Sequence, residues 1–289
     1  MKTNGLWTFF IVTFLLSWLS WLPGVLITYH YIEPNKFVIQ IANILNWVGG
    51  VMPSFFAILL IYKEQDFKGV KALLRRVFKL KLGYWYFPTF LIIPVALVLA
   101  HSINTFFGHP FPDTPILSEP WMILPLFLVF LIMVAAEEFG WRGFALDRLQ
   151  TKWSALTSSI ILGSIWAIWH IPMFLSSGFG HHDLHLPFGQ LFLTLVLVSI
   201  LITWLQNNTG SLAPAFILHA FVNLSGEVLP LIDKNTSIQG NYTQWIITNL
   251  ICIIVVIMVL KHWGLKTLVR NQNLSSKILT KHTPRRTRL

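Results

Sequence analysis

The sequence predicts an all-α integral membrane protein with about eight transmembrane helices, a basic interfacial helix and both termini cytoplasmic. Three observations carry that prediction. Hydrophobic residues make up 55% of the chain and charged residues only 11%, with a mean hydropathy of +0.65; soluble domains average about 25% charged residues. Apolar runs of roughly the 20 residues that a bilayer crossing needs recur along the chain. The 21 Lys and Arg residues gather in alternate connectors, as the bias of basic residues toward the cytoplasmic side demands.

The elements follow in order. Leu6 to about Thr28 is an apolar run with Trp7, Trp18 and Trp21. It is longer than the core of a cleaved signal peptide and reads as a retained first helix. A second span covers about Phe37 to Tyr62, with Gly49, Gly50 and Pro53 as bend points. Phe67, Val70, Leu73, Leu74 and Val77 then recur at helical spacing, with Lys68, Lys71, Arg75, Arg76 and Lys79 on the other side. That pattern predicts a basic amphipathic helix in the interface. Further spans run from about Tyr84 to Phe106, from Trp121 through Glu137, and over 155–175, 187–205, 211–232 and 242–262. His101 and Asn104, near the outer end of the third, are expected to reach the headgroups.

Every Lys and Arg except Lys36, Lys234 and Arg142 falls on one side of this arrangement, so both termini are expected there and the number of crossings is even. Residues 1–264 read as one polytopic domain and 265–289 as a basic cytoplasmic tail. The net charge of +10 fits membrane lipid better than nucleic acid, because the basic residues border apolar segments. The lone Cys252 excludes an intramolecular disulfide.

Ionisable residues inside apolar helices are costly and mark function by default. Glu137, Glu138 and Arg142 lie at the end of the fourth span. Glu138 and Arg142 stand at the i, i+4 spacing of a helical ion pair. Glu137, turned about 100° away, is left as a general base for activating water. For Glu138 and Arg142, a structural ion pair between helices accounts for the residues equally well. His170 follows Trp166 by one turn in the fifth span, and His219 precedes Asn223 by one turn in the seventh. Glu137, His170 and His219 supply a two-histidine, one-carboxylate set that can hold a catalytic zinc. Without a metal, Glu137 and His170 can activate water while His219 and Asn223 donate to an oxyanion. The H-E-x-x-H pattern of zinc proteases is absent. His181, His182, Asp183 and His185 form a polar outer loop, and Glu227 lies one turn beyond Asn223.

The ordered motifs Glu137-Glu138-Phe-Gly-Trp-Arg142, Trp166-Ala-Ile-Trp-His170 and His219-Ala-Phe-Val-Asn223 resemble those of the CPBP family of intramembrane proteases. That family includes CAAX prenyl proteases and bacteriocin self-immunity proteins. The resemblance implies a protease core over about 120–230 in a multi-pass protein of the bacterial plasma membrane, which hydrolyses a peptide bond of a membrane-associated substrate; a prenylated CAAX-type peptide is the family's best-known target, although no residue here marks a prenyl pocket. It implies that Glu137 activates water beside His170, with His219 and Asn223 at the oxyanion, by a metalloprotease or a glutamate-protease route. The second motif commonly begins with Phe; Trp166 keeps an aromatic wall, so a change of pocket shape rather than of chemistry is expected. A non-catalytic scaffold or immunity protein, and an ion-coupled transporter using the same residues as a relay, are the alternatives. The chain lacks the inverted repeats a transporter would show. Counted along the helices, Glu137 and His170 meet only if the fifth helix starts below the membrane surface or the helices tilt.

Overall fold

In the computed structural model, residues 5–112, 114–177, 187–230 and 237–269 are described. The helices are α1 (Leu6–Thr28), α2 (Lys36–Val77), α3 (Tyr86–Phe106), α4 (Pro115–Ser118), α5 (Ile123–Gly140), α6 (Asp147–Leu149), α7 (Ala155–Trp169), α8 (Ile171–Leu175), α9 (Phe188–Thr209), α10 (Ala213–Val228) and α11 (Ile238–Trp263). One wider, π-helical turn over Trp141–Leu146 joins α5 to α6. Among the described residues, seven helical stretches are long and apolar enough to span a membrane, and the protein is an integral, multi-pass α-helical membrane protein.

The seventh predicted span differs from the others. Its helix, α10, has 16 residues, about 24 Å of rise against a hydrocarbon core of about 30 Å. Pro214 in its first turn and Pro230 just past its end fix those limits. A short helix is tolerated because it is lodged in protein: every residue from Ala213 to Ala220 is buried, and α10 packs against α3, α5 and α9.

The basic segment continues α2 after a break at Asp66 (φ 54°, ψ −162°). Its inner face is held by protein: Val70 and Leu73 are buried, and Arg76 pairs with Asp147 through Nη1 at 2.5 Å and Nη2 at 3.2 Å. Lys68, Lys71 and Arg75 stay exposed. His101 and Asn104 do not reach outward as expected. They are 4% and 3% exposed, because Asn104 Nδ2 donates to the Gly240 carbonyl of α11 at 3.3 Å and both residues line a small cavity with Gln244.

One end of the bundle is tied together by polar contacts. Arg148 pairs with Glu64 at 2.5 Å, and a Cβ built on Gly5, just before α1, would lie 3.5 Å from the same Glu64. The Lys79 ammonium donates to the Thr209 carbonyl at 3.0 Å. Past α11, the carbonyls of Lys266 and Leu265 accept from the first two backbone N–H groups of α7 at 2.8 and 3.2 Å. Asn207 Nδ2 holds the Thr267 carbonyl at 2.9 Å. The start of α1 and the end of α11 therefore share one end of the molecule, as an even number of crossings requires.

A membrane-embedded cluster centred on Trp166

The α5–α2 contact sets the position of the two carboxylates. A Cβ built on Gly140 would come within 2.5 Å of the Pro53 backbone, so only glycine lets these helices approach so closely there. Ser54 Oγ donates to the Ala135 carbonyl at 2.7 Å and fixes the register. Glu137 and Glu138 lie between these two anchors. The wider turn that follows belongs to a type of helical irregularity frequent at functional sites. Gln206 of α9 fastens it by donating to the Arg142 carbonyl at 3.2 Å.

Glu138, Arg142 and His219 form the inner layer. Glu138 and Arg142 are fully buried and His219 is 4% exposed. Glu138 Oε1 accepts from Arg142 Nη1 and from His219 Nδ1, both at 2.8 Å. The carboxylate can only accept, so Nδ1 carries a proton and Nε2 is the remaining ring nitrogen. The i, i+4 pairing expected of Glu138 and Arg142 is present, and it reaches across helices to His219. Glu138 Oε2 and Arg142 Nε and Nη2 make no hydrogen bond among the described residues.

Glu137, His170 and Asn223 form a more accessible layer; each is half-buried. His170 caps α7 where the helix stops, because Pro172 lacks an N–H to continue the ladder and crowds the preceding turn. His170 Nδ1 lies 2.8 Å from the Trp166 carbonyl, which again assigns the proton to Nδ1 and leaves Nε2 as the acceptor of the neutral ring. Asn223 is one turn beyond His219 on α10, near the end of its buried stretch.

Trp166, 1% exposed, joins the two layers. Its indole Nε1 donates to Glu137 Oε2 at 2.7 Å. Its ring lies 4.2 Å from the Arg142 guanidinium carbon, a favourable cation–π geometry. The ring centroids of His219 and His170 stand 4.9 and 5.8 Å away, edge to face. Beyond the expected aromatic wall, the indole adds a bond to Glu137 that phenylalanine, having no N–H, cannot make. Reading Trp166 as a wall missed this, although its departure from the usual Phe was the signal. Gln206 was missed outright; one glutamine in an apolar run was the only clue.

The depth difficulty is resolved at the start of α7. Ala155 is buried and lies under residues 265–266, whose carbonyls bond its first turn, so α7 begins inside the protein and brings Trp166 level with Glu137. Glu227 is exposed and lies away from the buried layer, and the His181–His185 loop falls outside the described residues. Among the described residues, no three His, Cys, Asp or Glu side chains gather as a metal's ligand set. Glu137, His170 and His219 thus do not converge on one point as zinc would require, and the steps below use these side chains alone.

Residues 119–225 match the model of the family described as Type II CAAX prenyl endopeptidase Rce1-like, a stretch that contains all six candidate residues. The chain is also 27% identical over 241 residues, 80% of its length and 87% of the relative's, to CAAX prenyl protease 2 of Methanococcus maripaludis. Together the two matches support a protease of the CPBP type. They likewise support an endopeptidase that works within the membrane.

Proposed function

We propose that the protease hydrolyses a peptide bond near the C-terminus of a prenylated, CAAX-type substrate at a bacterial plasma membrane, with water activated by Glu137. The observation that carries the reading is the meeting of Glu137, Arg142, His170 and His219 around one indole. Glu137 Oε1, the oxygen opposite the one bonded to Trp166, takes a proton from water while His170 Nε2 accepts the second water hydrogen bond. The hydroxide attacks the scissile carbonyl carbon. The oxyanion draws hydrogen bonds from Asn223 Nδ2 and from His219 Nε2 in its doubly protonated form, whose charge Glu138 balances. Collapse of the tetrahedral species breaks the C–N bond, and the proton held on Glu137 passes to the departing amine.

The prenylated substrate class rests on the name of the Methanococcus maripaludis relative and on the matched family description. A chain embedded in lipid, with exposed basic residues at one end, is suited to a substrate anchored by its own lipid chain. The test uses the full chain in lipid nanodiscs with a fluorogenic peptide ending Cys-a-a-X, farnesylated or not. Glu137→Ala is expected to abolish cleavage, and the unfarnesylated peptide is expected to be the poorer substrate. Full activity of Glu137→Ala overturns the mechanism; equal turnover of the two peptides overturns the substrate class.

A further inference from the structure

The geometry points to Trp166 as a positioning residue: its indole N–H aims the Glu137 carboxylate, a task that the phenylalanine common at this motif position cannot perform. The inference rests on Glu137 being the base that activates water. Glu137 has a flexible side chain and is half-buried on α5, where among the described residues its one recorded side-chain hydrogen bond comes from Trp166. Trp166, in contrast, is immobilised on every side. It is 1% exposed, faced by the Arg142 guanidinium and by the rings of His170 and His219.

A rigid donor on a rigid helix therefore fixes one oxygen of a mobile base, leaving the other oxygen directed at the water. Hydrogen bonds to an ionised group are short and strong, and 2.7 Å falls in that class. The two adjacent carboxylates thereby keep separate hydrogen-bond partners. Glu138 belongs to Arg142 and His219, and Glu137 to Trp166 and the water. A base held within a fraction of an ångström of its attack position contributes to turnover rather than to substrate binding.

The experiment compares the parent with Trp166→Phe and with the chain carrying 3-benzothienylalanine at 166, an indole isostere with sulfur in place of N–H. Each full-length protein is assayed in nanodiscs with the farnesylated fluorogenic peptide. Loss of one hydrogen bond to a charged group predicts a fall in kcat of about tenfold or more in both. KM is expected to stay within about twofold, with the melting temperature of the isostere protein unchanged. An isostere protein with parental or higher kcat overturns the inference, and so does a change confined to KM, which a mere wall of the substrate channel would give. If Trp166→Phe fails to fold, the isostere decides alone. Glu137→Ala run alongside separates the two claims. If it stays active, the water-activating role of Glu137 falls; if it is dead while the isostere is unaffected, only the role of Trp166 falls.

Discussion

Replacing Glu138 with leucine should expose how the inner layer divides stability from turnover. Glu138 Oε1 is the acceptor for both Arg142 Nη1 and His219 Nδ1 at 2.8 Å, and all three residues are within 4% of full burial. Without the carboxylate, Arg142 becomes a buried guanidinium without its counter-ion. Breaking a buried pair in this one-sided way costs about 3–5 kcal/mol, which corresponds to a loss of roughly 6–20 °C in melting temperature for a chain of this size. Removing both charges, as Glu138→Leu with Arg142→Met, should recover most of that loss. The native pair already leaves Glu138 Oε2 and Arg142 Nε and Nη2 without hydrogen bonds, so an apolar pair of similar volume gives up little. Activity should not return, because His219 still lacks the acceptor that orients it. The assay is thermal unfolding in detergent micelles read by tryptophan fluorescence, paired with peptide cleavage. A Glu138→Leu protein that melts with the parent would refute the reasoning, as would a double variant no more stable than the single one.

Other outcomes follow from the same geometry. Asn223→Ala should fold normally and lose about 10²–10³ in kcat, the usual consequence of deleting one oxyanion donor; unchanged single-turnover cleavage would remove Asn223 from the mechanism. Gly140→Ala should destabilise by more than Gly143→Ala, since the new methyl meets the Pro53 backbone at 2.5 Å in the first case and the yielding Leu73 Cδ1 at 2.5 Å in the second. Overpacking of this kind costs about 1–3 kcal/mol, and equal melting temperatures would count against the close α2–α5 contact. Asp147→Ala should release the basic helix from its Arg76 bridge at a cost of about 1 kcal/mol or less, both side chains being 25–29% exposed; faster protease nicking near residues 66–77 would report it. Dialysis against a strong chelator should leave cleavage intact, because Glu137, His170 and His219 do not gather around one point. Loss of activity restored only by zinc would show that these donors regroup.

Much of the fold is legible in the sequence, because lipid leaves the backbone few choices. Hydropathy places α1, α3, α9 and α11 to within a few residues, since a helix that satisfies its own backbone is nearly the only way to cross. The i, i+4 spacing also foretells the Glu138–Arg142 pair. What escapes notice depends on partners distant in the chain. The shortness of α10 reflects burial by three neighbouring helices. The inward turn of His101 and Asn104 reflects α11, far along the chain. Hydropathy likewise reads 155–175 as one span, although Pro172 breaks it at His170. The bond from Trp166 to Glu137 joins residues 29 positions apart, and no periodicity within either helix carries that information.

The strap formed by residues 264–268 sets an order of assembly. The first two N–H groups of α7 have carbonyl partners at Lys266 and Leu265, more than a hundred positions later in the chain. Asn207 and Asn208 reach the same strap through the carbonyls of Thr267 and Leu268 at 2.9 and 2.6 Å. A chain still emerging from the ribosome holds Trp166 and His170 on a helix whose opening donors have no protein acceptor. Their protein acceptors arrive only when α11 is in place and the chain has turned back beneath it. The support of Trp166 and His170 is thus completed only after residues 265–268 have been made, and a protein truncated before Leu265 would carry every candidate site residue on an unfinished support.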